Sequence, residues 1–333
     1  MVGRTAISRI VPEDPQMCEA HLVSLVVPVF DEQDAIQPFL QRIGAVFELL
    51  MPDYAYEIVF VNDGSSDATE FAIRTAMQDN AHIQLINLSR NFGKEAALSA
   101  GLDHADGDVC IPMDVDLQDP PEVIPDMLDH WQAGAKVVNA RRISRKEDTW
   151  VKRTSARGFY RVFNALAEQA IPKDVGDFRL MDKQVVEVLR GMNERVRFNK
   201  ALFSWVGFET QEVTFERPER HSGNSGWGYW RLWNFALDGI FSSSTLPLRI
   251  WSYTGGLLAL LSFLYAAVIL ARTLMFGVDV PGYASTVILI LLFGGLNLFA
   301  IGIVGEYIAR IYSEVRERPL YVLRSVHKAK GQD

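Results

Sequence analysis

Two segments near the C-terminal end of the chain, Ile250 to Ala271 and Val280 to Gly305, contain no charged residue. Each is longer than the roughly 20 apolar residues with which an α-helix crosses the hydrocarbon core of a bilayer. Two buried helices of a large soluble domain are the alternative, but core helices rarely continue so far without a charge. The pattern therefore predicts two membrane-spanning helices.

The charges around these segments predict their orientation. The link from Arg272 to Asp279 is too short to form a domain, so the two helices are expected to form a hairpin whose outer ends lie on one side of the membrane. The link contains one arginine, whereas several basic residues follow the second segment, namely Arg310, Arg316, Arg318, Arg324, Lys328 and Lys330. Because positive charge is retained on the cytoplasmic side, both termini are expected to be cytoplasmic.

Other features of the sequence exclude some classes of protein. The N-terminal sequence MVGRTAISRIVPEDP lacks the unbroken apolar stretch of a secretory signal, so no export is expected. Cys18 and Cys110 are too few for a disulfide framework and fit a reducing compartment. The histidines are scattered and favour no zinc site. The net charge of −8 gives no indication of nucleic-acid binding.

Short apolar runs alternate with helical patterns over much of the N-terminal half of the chain. The runs are LVSLVVPV at Leu22 to Val29, YEIVFV at Tyr56 to Val61, HIQLINL at His82 to Leu88, DVCIPM at Asp108 to Met113 and AKVVNA at Ala135 to Ala140. The helical patterns are Asp34 to Leu50, Ser66 to Asp79, Lys94 to His104 and Pro121 to Trp131. This alternation predicts an α/β fold with a Rossmann-like, mainly parallel sheet.

Acidic residues follow the fourth predicted strand. Ligands of open α/β sheets bind beyond the carboxyl ends of the strands, which distinguishes two Asp-x-Asp triplets. Asp106 to Asp108 precedes the strand and is interpreted as a solvated turn, whereas Asp114 to Asp116 follows it. With Gln118, the second pair of carboxylates can hold Mg²⁺ or Mn²⁺ while substrate phosphates complete the coordination shell.

Residues after the first two strands are candidates for nucleoside binding. Asp63, in VNDGSSD, can accept a hydrogen bond from the NH of a base, or it can belong to a turn that begins the next helix. Pro28, in VVPVFDE, is expected to end the first strand and to turn the chain. Phe30 and Glu32 would then face the base and the ribose.

Five motifs occur in a fixed order before the two apolar segments: VVPVFDE, VNDGSSD, LSRNFGKEAALSAGLDHA, DVDLQDPPE and GDFRLMD. In this combination the chain resembles the polyprenyl-phosphate glycosyltransferases of family 2, and most of all their bactoprenol glucosyltransferase branch. The resemblance extends from about Leu22 to Leu323. It implies a GT-A catalytic domain followed by interfacial helices and a two-helix transmembrane hairpin in the inner membrane.

The resemblance suggests a division of the chain and a set of roles. Residues 1–21 are expected to be an extension, 22–226 the GT-A domain, 227–249 an interfacial helix region, 250–309 the two transmembrane helices and 310–333 a basic cytoplasmic tail. The implied nucleotide-sugar residues are Pro28, Phe30, Glu32, Asp63, Lys94 and Asp114, the implied metal ligands are Asp114, Asp116 and Gln118, and the implied catalytic residues are Asp116 and Asp177.

Asp177, in GDFRLMD, is expected to lie beside the reacting sugar. A phosphate-monoester acceptor is already largely ionised at neutral pH, because its second pKa is about 6. We therefore assign Asp177 first to sugar hydroxyl binding and acceptor alignment, and only second to proton removal. The alternative is a cap on the helix that starts near Asp182.

The acceptor phosphate requires cations near the membrane surface. Basic and aromatic residues alternate at helical spacing from Trp150 to Leu166, which suits a headgroup layer, although a solvated helix packed on the domain would show the same pattern. The candidate acceptor residues are Arg141, Lys152, Arg153, Ser155 and Arg220. Relatives carry a lysine where this chain has Gly226, so any role of that lysine is absent here or is taken by a neighbouring residue.

The expected reaction is inverting transfer of glucose from UDP-glucose to undecaprenyl or another polyprenyl phosphate, with Mg²⁺ or Mn²⁺ as cofactor. Membrane lipids and a second copy of the chain are the other expected partners, and nucleic acid is not. Another sugar, such as galactose, N-acetylglucosamine, mannose or aminoarabinose, remains open. A processive polysaccharide synthase is disfavoured because Gln-x-x-Arg-Trp is absent, and a non-catalytic scaffold is disfavoured by the intact acidic residues.

Overall fold

The computed structural model describes residues 20–143, 175–192, 194, 199–216, 246–277 and 282–328. The strands are β1 (His21–Val29), β2 (Tyr54–Asn62), β3 (Ile83–Leu88), β4 (Val109–Pro112), β5 (Val137–Arg142), β6 (Val175–Asp182), β7 (Thr210–Phe215) and β8 (Leu323–Lys328). The helices are α1 (Ile36–Leu50), α2 (Thr69–Asp79), α3 (Lys94–His104), α4 (Ile124–Gln132), α5 (Lys183–Gly191), α6 (Asn199–Trp205), α7 (Leu246–Phe276) and α8 (Tyr283–Val315), and a 3₁₀ turn (Pro121–Val123) precedes α4.

Within these described ranges, the strands form one eight-stranded sheet in the order β7-β5-β6-β4-β1-β2-β3-β8. The central pairs β4-β1, β1-β2 and β2-β3 are parallel, while β6 runs antiparallel to β4 and β5, and β8 runs antiparallel to β3. Helices cover both faces: α1, α2 and α4 pack on one face, and α3, α5 and α6 pack on the other. The predicted α/β fold with a mainly parallel sheet is confirmed.

The strand β1 does not end at Pro28. It continues to Val29, with Pro28 in register with Val61 of β2. The carbonyl of Val29 accepts from the residue directly after β2, and the carbonyl of Val26 accepts from the residue directly after β4. Because these two carbonyls are three positions apart, successive residues of β1 face β2 and β4 in turn. The missing N–H of Pro28 therefore faces the β4 side, beyond the last β4 pair at Pro112, where no ladder bond is lost.

The turn after β1 is made instead at Asp31, which has a φ of 53°. The side chain of Asp31 accepts the backbone N–H of Ser66 at 2.7 Å, and its own N–H donates to Ser65. These bonds join the loop after β1 to the loop after β2. Pro28 therefore lies in the strand, and the direction of the following residues depends on Asp31.

The strand β8 comes from the segment that was expected to be a basic tail. It pairs with β3 from Leu323 opposite Leu88 to Lys328 opposite Gln84. Its side chains alternate in exposure, with Ser325 and His327 half-buried between exposed neighbours, and two of its basic residues lie beside acidic groups of the domain. The sheet is therefore completed by a strand that follows the apolar helices in sequence.

The two long helices near the C-terminal end extend beyond the predicted spans. The first, α7, begins at Leu246, within the stretch predicted to be interfacial, and α8 continues past Gly305 to Val315. The rings of Trp251 and Phe299 meet edge to face with centroids 5.2 Å apart, so the helices contact each other. Most of the predicted interfacial region, and all of Trp150 to Leu166, lie outside the described residues.

One helical stretch among the described residues, Leu292–Val315, has the length and composition to cross a membrane, with a mean hydropathy of 1.6. The apolar part of α7, Tyr253–Ser262, is shorter. Both helices expose large apolar side chains such as Leu260, Leu264 and Leu298. Such surfaces suit lipid rather than water, and passage of both helices through the membrane stays a prediction.

Close packing of α3 on the sheet gives a test of the fold. A Cβ on Gly101 would lie 2.3 Å from Cγ1 of Val26 and 3.1 Å from Cγ2 of Val61. We expect Gly101→Ala to cost about 1–3 kcal/mol, because overpacking displaces buried side chains. The melting temperature of the detergent-solubilised protein should fall by several degrees.

Gly44→Ala is the matched control for this substitution. Gly44 lies in α1, where an added Cβ would meet nothing within 4 Å. Alanine is the better helix former, so the melting temperature should stay the same or rise. Equal melting temperatures for the two variants would contradict the packing of α3.

Candidate active site

The candidate site lies at the carboxyl edge of the parallel strands. The two Asp-x-Asp triplets lie at opposite edges, as predicted. At the amino edge, Asp108 accepts the N–H of Leu22 at 3.0 Å, and the N–H of Gly107 donates to Ser24. The triplet Asp114 to Asp116 follows β4 and lies at the carboxyl edge. The first triplet is engaged in structural contacts, which leaves the second as the candidate for ligand binding.

A lysine joins two of the predicted acidic residues. Nζ of Lys94, the first residue of α3, lies 2.6 Å from Oδ1 of Asp114 and 3.0 Å from Oδ2 of Asp177. Burial alone would lower the pKa of Lys94, but the charges of Asp114 and Asp177 outweigh it and hold that pKa well above its usual value. One cation thus connects the end of β4, the start of β6 and the start of α3.

Asp63 holds the loop before α3. Its carboxylate is 4% exposed and accepts the backbone N–H groups of Phe92 at 2.7 Å and Gly93 at 2.8 Å. Burial raises the pKa of Asp63, although both hydrogen bonds act in the opposite direction. The loop after β2 therefore fixes the position from which Lys94 extends. The predicted contact of Asp63 with a base stays a prediction.

The loops after β2 and β3 touch at Gly64. This residue has a φ of 74°, and a Cβ there would lie 2.6 Å from the carbonyl carbon of Arg90 and 2.7 Å from the nitrogen of Asn91. A side chain at this position would push the two loops apart. Gly64 therefore allows the same two loops to lie in contact that Asp63 joins by its hydrogen bonds.

The second acidic residue of the triplet, Asp116, is buried and accepts the backbone N–H of Gln118 at 3.1 Å. Leu117 between them has a φ of 58°, so the chain turns sharply here. The described residues contain no group of three or more His, Cys, Asp or Glu that could hold a metal ion. Asp116 with Asp114 and Gln118 fits a Mg²⁺ site of the kind that uses one or two carboxylates and depends on substrate phosphates.

Sequence reasoning missed Arg179, which is 4% exposed in β6. Its Nη2 donates to the carbonyl of Gly176 at 2.7 Å, and its guanidinium carbon lies 4.3 Å from the ring centroid of Phe203. Burial lowers the pKa of Arg179 to about 10, with Asp177 acting in the opposite direction. The signal was an arginine between the apolar residues Phe178 and Leu180 of β6. Arg179 places a buried positive charge two residues from Asp177 in sequence.

The other predicted nucleotide-binding residues surround this centre. Phe30 follows β1 and is 45% exposed. The backbone N–H of Glu32 donates to Oγ1 of Thr69 at 2.9 Å, which connects it to the start of α2. Pro28 is half-buried in β1. The predicted roles of these residues in holding a base and ribose stay predictions.

The predicted acceptor residues are only partly described. Arg141 lies near the end of β5, and its Nε lies 3.2 Å from Oε2 of Glu212 in β7, in an exposed ion pair. Lys152, Arg153, Ser155 and Arg220 lie outside the described residues, as does Gly226. Their predicted contact with a phosphate stays a prediction.

The sheet and its acidic edge define a GT-A-like glycosyltransferase. The family description "Glycosyl transferase family 2" matches residues 24–190, and "GtrB C-terminal hairpin" matches residues 246–311. The chain belongs to glycosyltransferase family 2. It is a glycosyltransferase with a C-terminal hairpin that associates it with a membrane.

Relatives match along almost the whole chain. The bactoprenol glucosyl transferase derived from prophage SfII of Shigella flexneri is 49% identical over 306 residues, which is 92% of this chain and 98% of the relative. An uncharacterised glycosyltransferase of Synechocystis is 48% identical over 302 residues, 90% of this chain and 94% of the relative.

A solved structure also matches over most of its length. It is a mannosyltransferase of Pyrobaculum calidifontis in complex with GDP-mannose and Mn²⁺, and it is 18% identical to this chain. The TM-score is 0.46, over 90% of this chain and 87% of the other.

Asp63 allows a test of the loop geometry. In Asp63→Ala, the N–H groups of Phe92 and Gly93 lose their acceptor, and an unpaired buried donor costs about 1–3 kcal/mol. We expect faster amide hydrogen exchange at Phe92 and Gly93. Asp106→Ala removes an exposed carboxylate at the opposite edge and should leave these amides unchanged. Unchanged exchange in Asp63→Ala would contradict the role of Asp63.

Proposed function

We propose that this protein transfers glucose from UDP-glucose to undecaprenyl phosphate, or a similar polyprenyl phosphate, at the cytoplasmic face of the membrane, with inversion at the anomeric carbon. The observation that carries the proposal is the cluster of Lys94, Asp114 and Asp177 at the carboxyl edge of a chain that also has the C-terminal hairpin. The relatives named bactoprenol glucosyl transferase, at about 49% identity, support the sugar and the lipid.

The donor diphosphate would lie beside the start of α3. The first turn of a helix presents unpaired N–H groups and a partial positive charge, which favour an anion. Lys94 adds a full positive charge at this point and would share its N–H groups between the diphosphate and the two carboxylates. Asp63 keeps this turn in place through Phe92 and Gly93.

A divalent cation, Mg²⁺ or Mn²⁺, would be held by Asp114, Asp116 and Gln118 together with the diphosphate oxygens. When bound, it would supply charge that stabilises the leaving nucleoside diphosphate. The backbone bond from Gln118 to Asp116 keeps these two residues together. Pro28, Phe30 and Glu32 would hold the nucleoside on the β1 side of the same edge.

Asp177 would align the acceptor and bind sugar hydroxyls. A phosphate monoester needs little help from a base, since it is largely ionised at neutral pH. Lys94 occupies one oxygen of Asp177, and the carboxylate would accept hydrogen bonds from hydroxyl groups of the sugar. A direct attack by the lipid phosphate on an α-linked donor gives a β-linked product.

The acceptor phosphate would be held by Arg141, Lys152, Arg153, Ser155 and Arg220. Arginine suits this role because its planar guanidinium can donate to two phosphate oxygens at once. Arg141 lies at the same edge as the Lys94 cluster. The proposal also includes two membrane passages with both termini in the cytoplasm, and assembly with a second copy of the chain.

A panel of radiolabelled nucleotide sugars tests the proposal. Membranes that contain the protein and polyprenyl phosphate should transfer label from UDP-glucose into the lipid fraction, and NMR should show a β-linked product. Chelation of divalent cations should stop the transfer. Asp116→Asn should also stop it while leaving the protein folded and in the membrane, because a neutral amide binds a cation more weakly than a carboxylate.

Three results would contradict the proposal. Transfer from another nucleotide sugar in place of UDP-glucose would show that the sugar is wrong. Full activity in the presence of a chelator would show that transfer does not require a divalent cation. If the protein bound nucleotide sugars but transferred no label to any lipid fraction, it would be a non-catalytic scaffold.

Lys94→Met tests the centre of the site. Without the lysine, Asp114 and Asp177 would repel a diphosphate, and a charge-assisted hydrogen bond contributes about 1.5–3 kcal/mol. We expect UDP affinity, measured by calorimetry with Mn²⁺ present, to fall by at least about tenfold.

Lys136→Met is the control for this variant. Lys136 pairs with Asp182 at 3.0 Å, at the amino edge of the sheet. Loss of this ion pair should leave UDP affinity unchanged. Equal affinities in the two variants would show that Lys94 does not contribute to donor binding.

A further inference from the structure

The strand β8 enters the sheet at the edge that holds the candidate site. Because β8 is antiparallel to β3, its first residue, Leu323, lies opposite Leu88, the last residue of β3. The N–H of Ser89 continues the pairing by donating to the carbonyl of Val322 at 2.8 Å. The chain therefore arrives from α8 at the carboxyl edge and runs from there towards the amino edge.

The connection from α8 to β8 is short. The helix α8 ends at Val315 and β8 begins at Leu323. At about 3.6 Å per residue, this connection spans at most roughly 30 Å. The end of α8 must therefore lie within that distance of the carboxyl edge. The connection from Phe215 of β7 to Leu246 of α7 is much longer in sequence and permits a wider range of separations.

Side chains fasten β8 to the domain along its length. Arg324 pairs with Glu70 of α2, and Oγ of Ser325 accepts from Nδ2 of the buried Asn87 at 3.1 Å. Nζ of Lys328 lies 3.5 Å from Oδ2 of Asp106. Each exposed ion pair contributes little by itself. Together with the backbone ladder, they hold β8 on β3.

The segment before β8 is also fixed. The hydroxyl of Tyr321 donates to Oδ2 of Asp103 in α3 at 2.7 Å, and its ring packs on the core under α3. The same helix carries Lys94 at its other end. Tyr321 therefore links the connection that follows α8 to α3, the helix that positions Lys94.

We propose that β8 is a positioning tether, which keeps the carboxyl edge of the sheet within roughly 30 Å of the membrane end of α8. This inference rests on the proposed function, because the distance matters only if the acceptor phosphate stays at the membrane surface. A lipid acceptor cannot leave the bilayer, so its effective concentration at Lys94 and Asp177 depends on how closely the edge is held. Lengthening a flexible connection lowers effective concentration roughly as the −3/2 power of its length.

The test lengthens the connection and leaves the site intact. Twelve Gly and Ser residues are inserted after Arg318 in the full chain, which is then placed in vesicles that contain polyprenyl phosphate. We expect the rate of transfer at subsaturating lipid to fall roughly three- to fivefold. UDP affinity, the melting temperature and transfer to a short, water-soluble prenyl phosphate should be unchanged.

Two further variants complete the experiment. The same Gly and Ser sequence added after Asp333 controls for composition and should have no effect. Arg324→Glu with Lys328→Glu places like charges beside Glu70 and Asp106, which weakens β8 without altering the connection. It should reduce use of the vesicle acceptor and spare the soluble one.

Wild-type use of the vesicle acceptor by the insertion variant would overturn the tether. So would equal losses with both acceptors, or a loss of UDP affinity, because β8 would then support the fold in general. If the unaltered protein transferred sugar to neither acceptor, the proposed function would fall together with the tether. An active unaltered protein with an unaffected insertion variant would overturn the tether alone.

Discussion

The ion pairs of Lys94 with Asp114 and Asp177 connect three elements that are distant in sequence. Asp114 follows β4, Asp177 lies near the start of β6, and Lys94 begins α3. Neither carboxylate could approach the other closely without a shared cation, because like charges in a partly buried site repel strongly. The lysine therefore holds the two strand ends together at this edge, beyond the last backbone pair of β4 with β6. Its position depends in turn on Asp63, which fixes the preceding turn.

The alternation of strands and helices in the parallel half of the sheet could be predicted because each strand there is buried on both faces. Such strands form apolar runs that stand out from the helices between them. The position of Asp114 and Asp116 followed from the same pattern, since the end of a strand is visible in sequence. The ion pair to Lys94 was not visible, because it depends on the angle at which α3 leaves its turn.

The strand β8 and the course of β1 could not be predicted, for two different reasons. The β8 sequence is short, polar and charged, and it pairs with a strand far away in sequence, so local pattern carries little information about it. Pro28 was expected to end β1, but its neighbour β4 ends first, and a missing N–H breaks no bond of the β4 ladder beyond that point. Arg179 was overlooked because an arginine is rarely buried.

The antiparallel direction of β6 has a consequence for how the chain can vary. The strand β5 ends at the carboxyl edge with Arg142, and β6 starts at the same edge with Val175, so the intervening segment leaves and returns on one side. The chain after β7 also departs there, and β8 begins there. Insertions at these three junctions would enlarge the surroundings of the site without disturbing the amino edge. Related chains with longer or shorter segments at these junctions would therefore differ in the acceptor that they use or in their contact with the membrane, while the sheet itself remains the same.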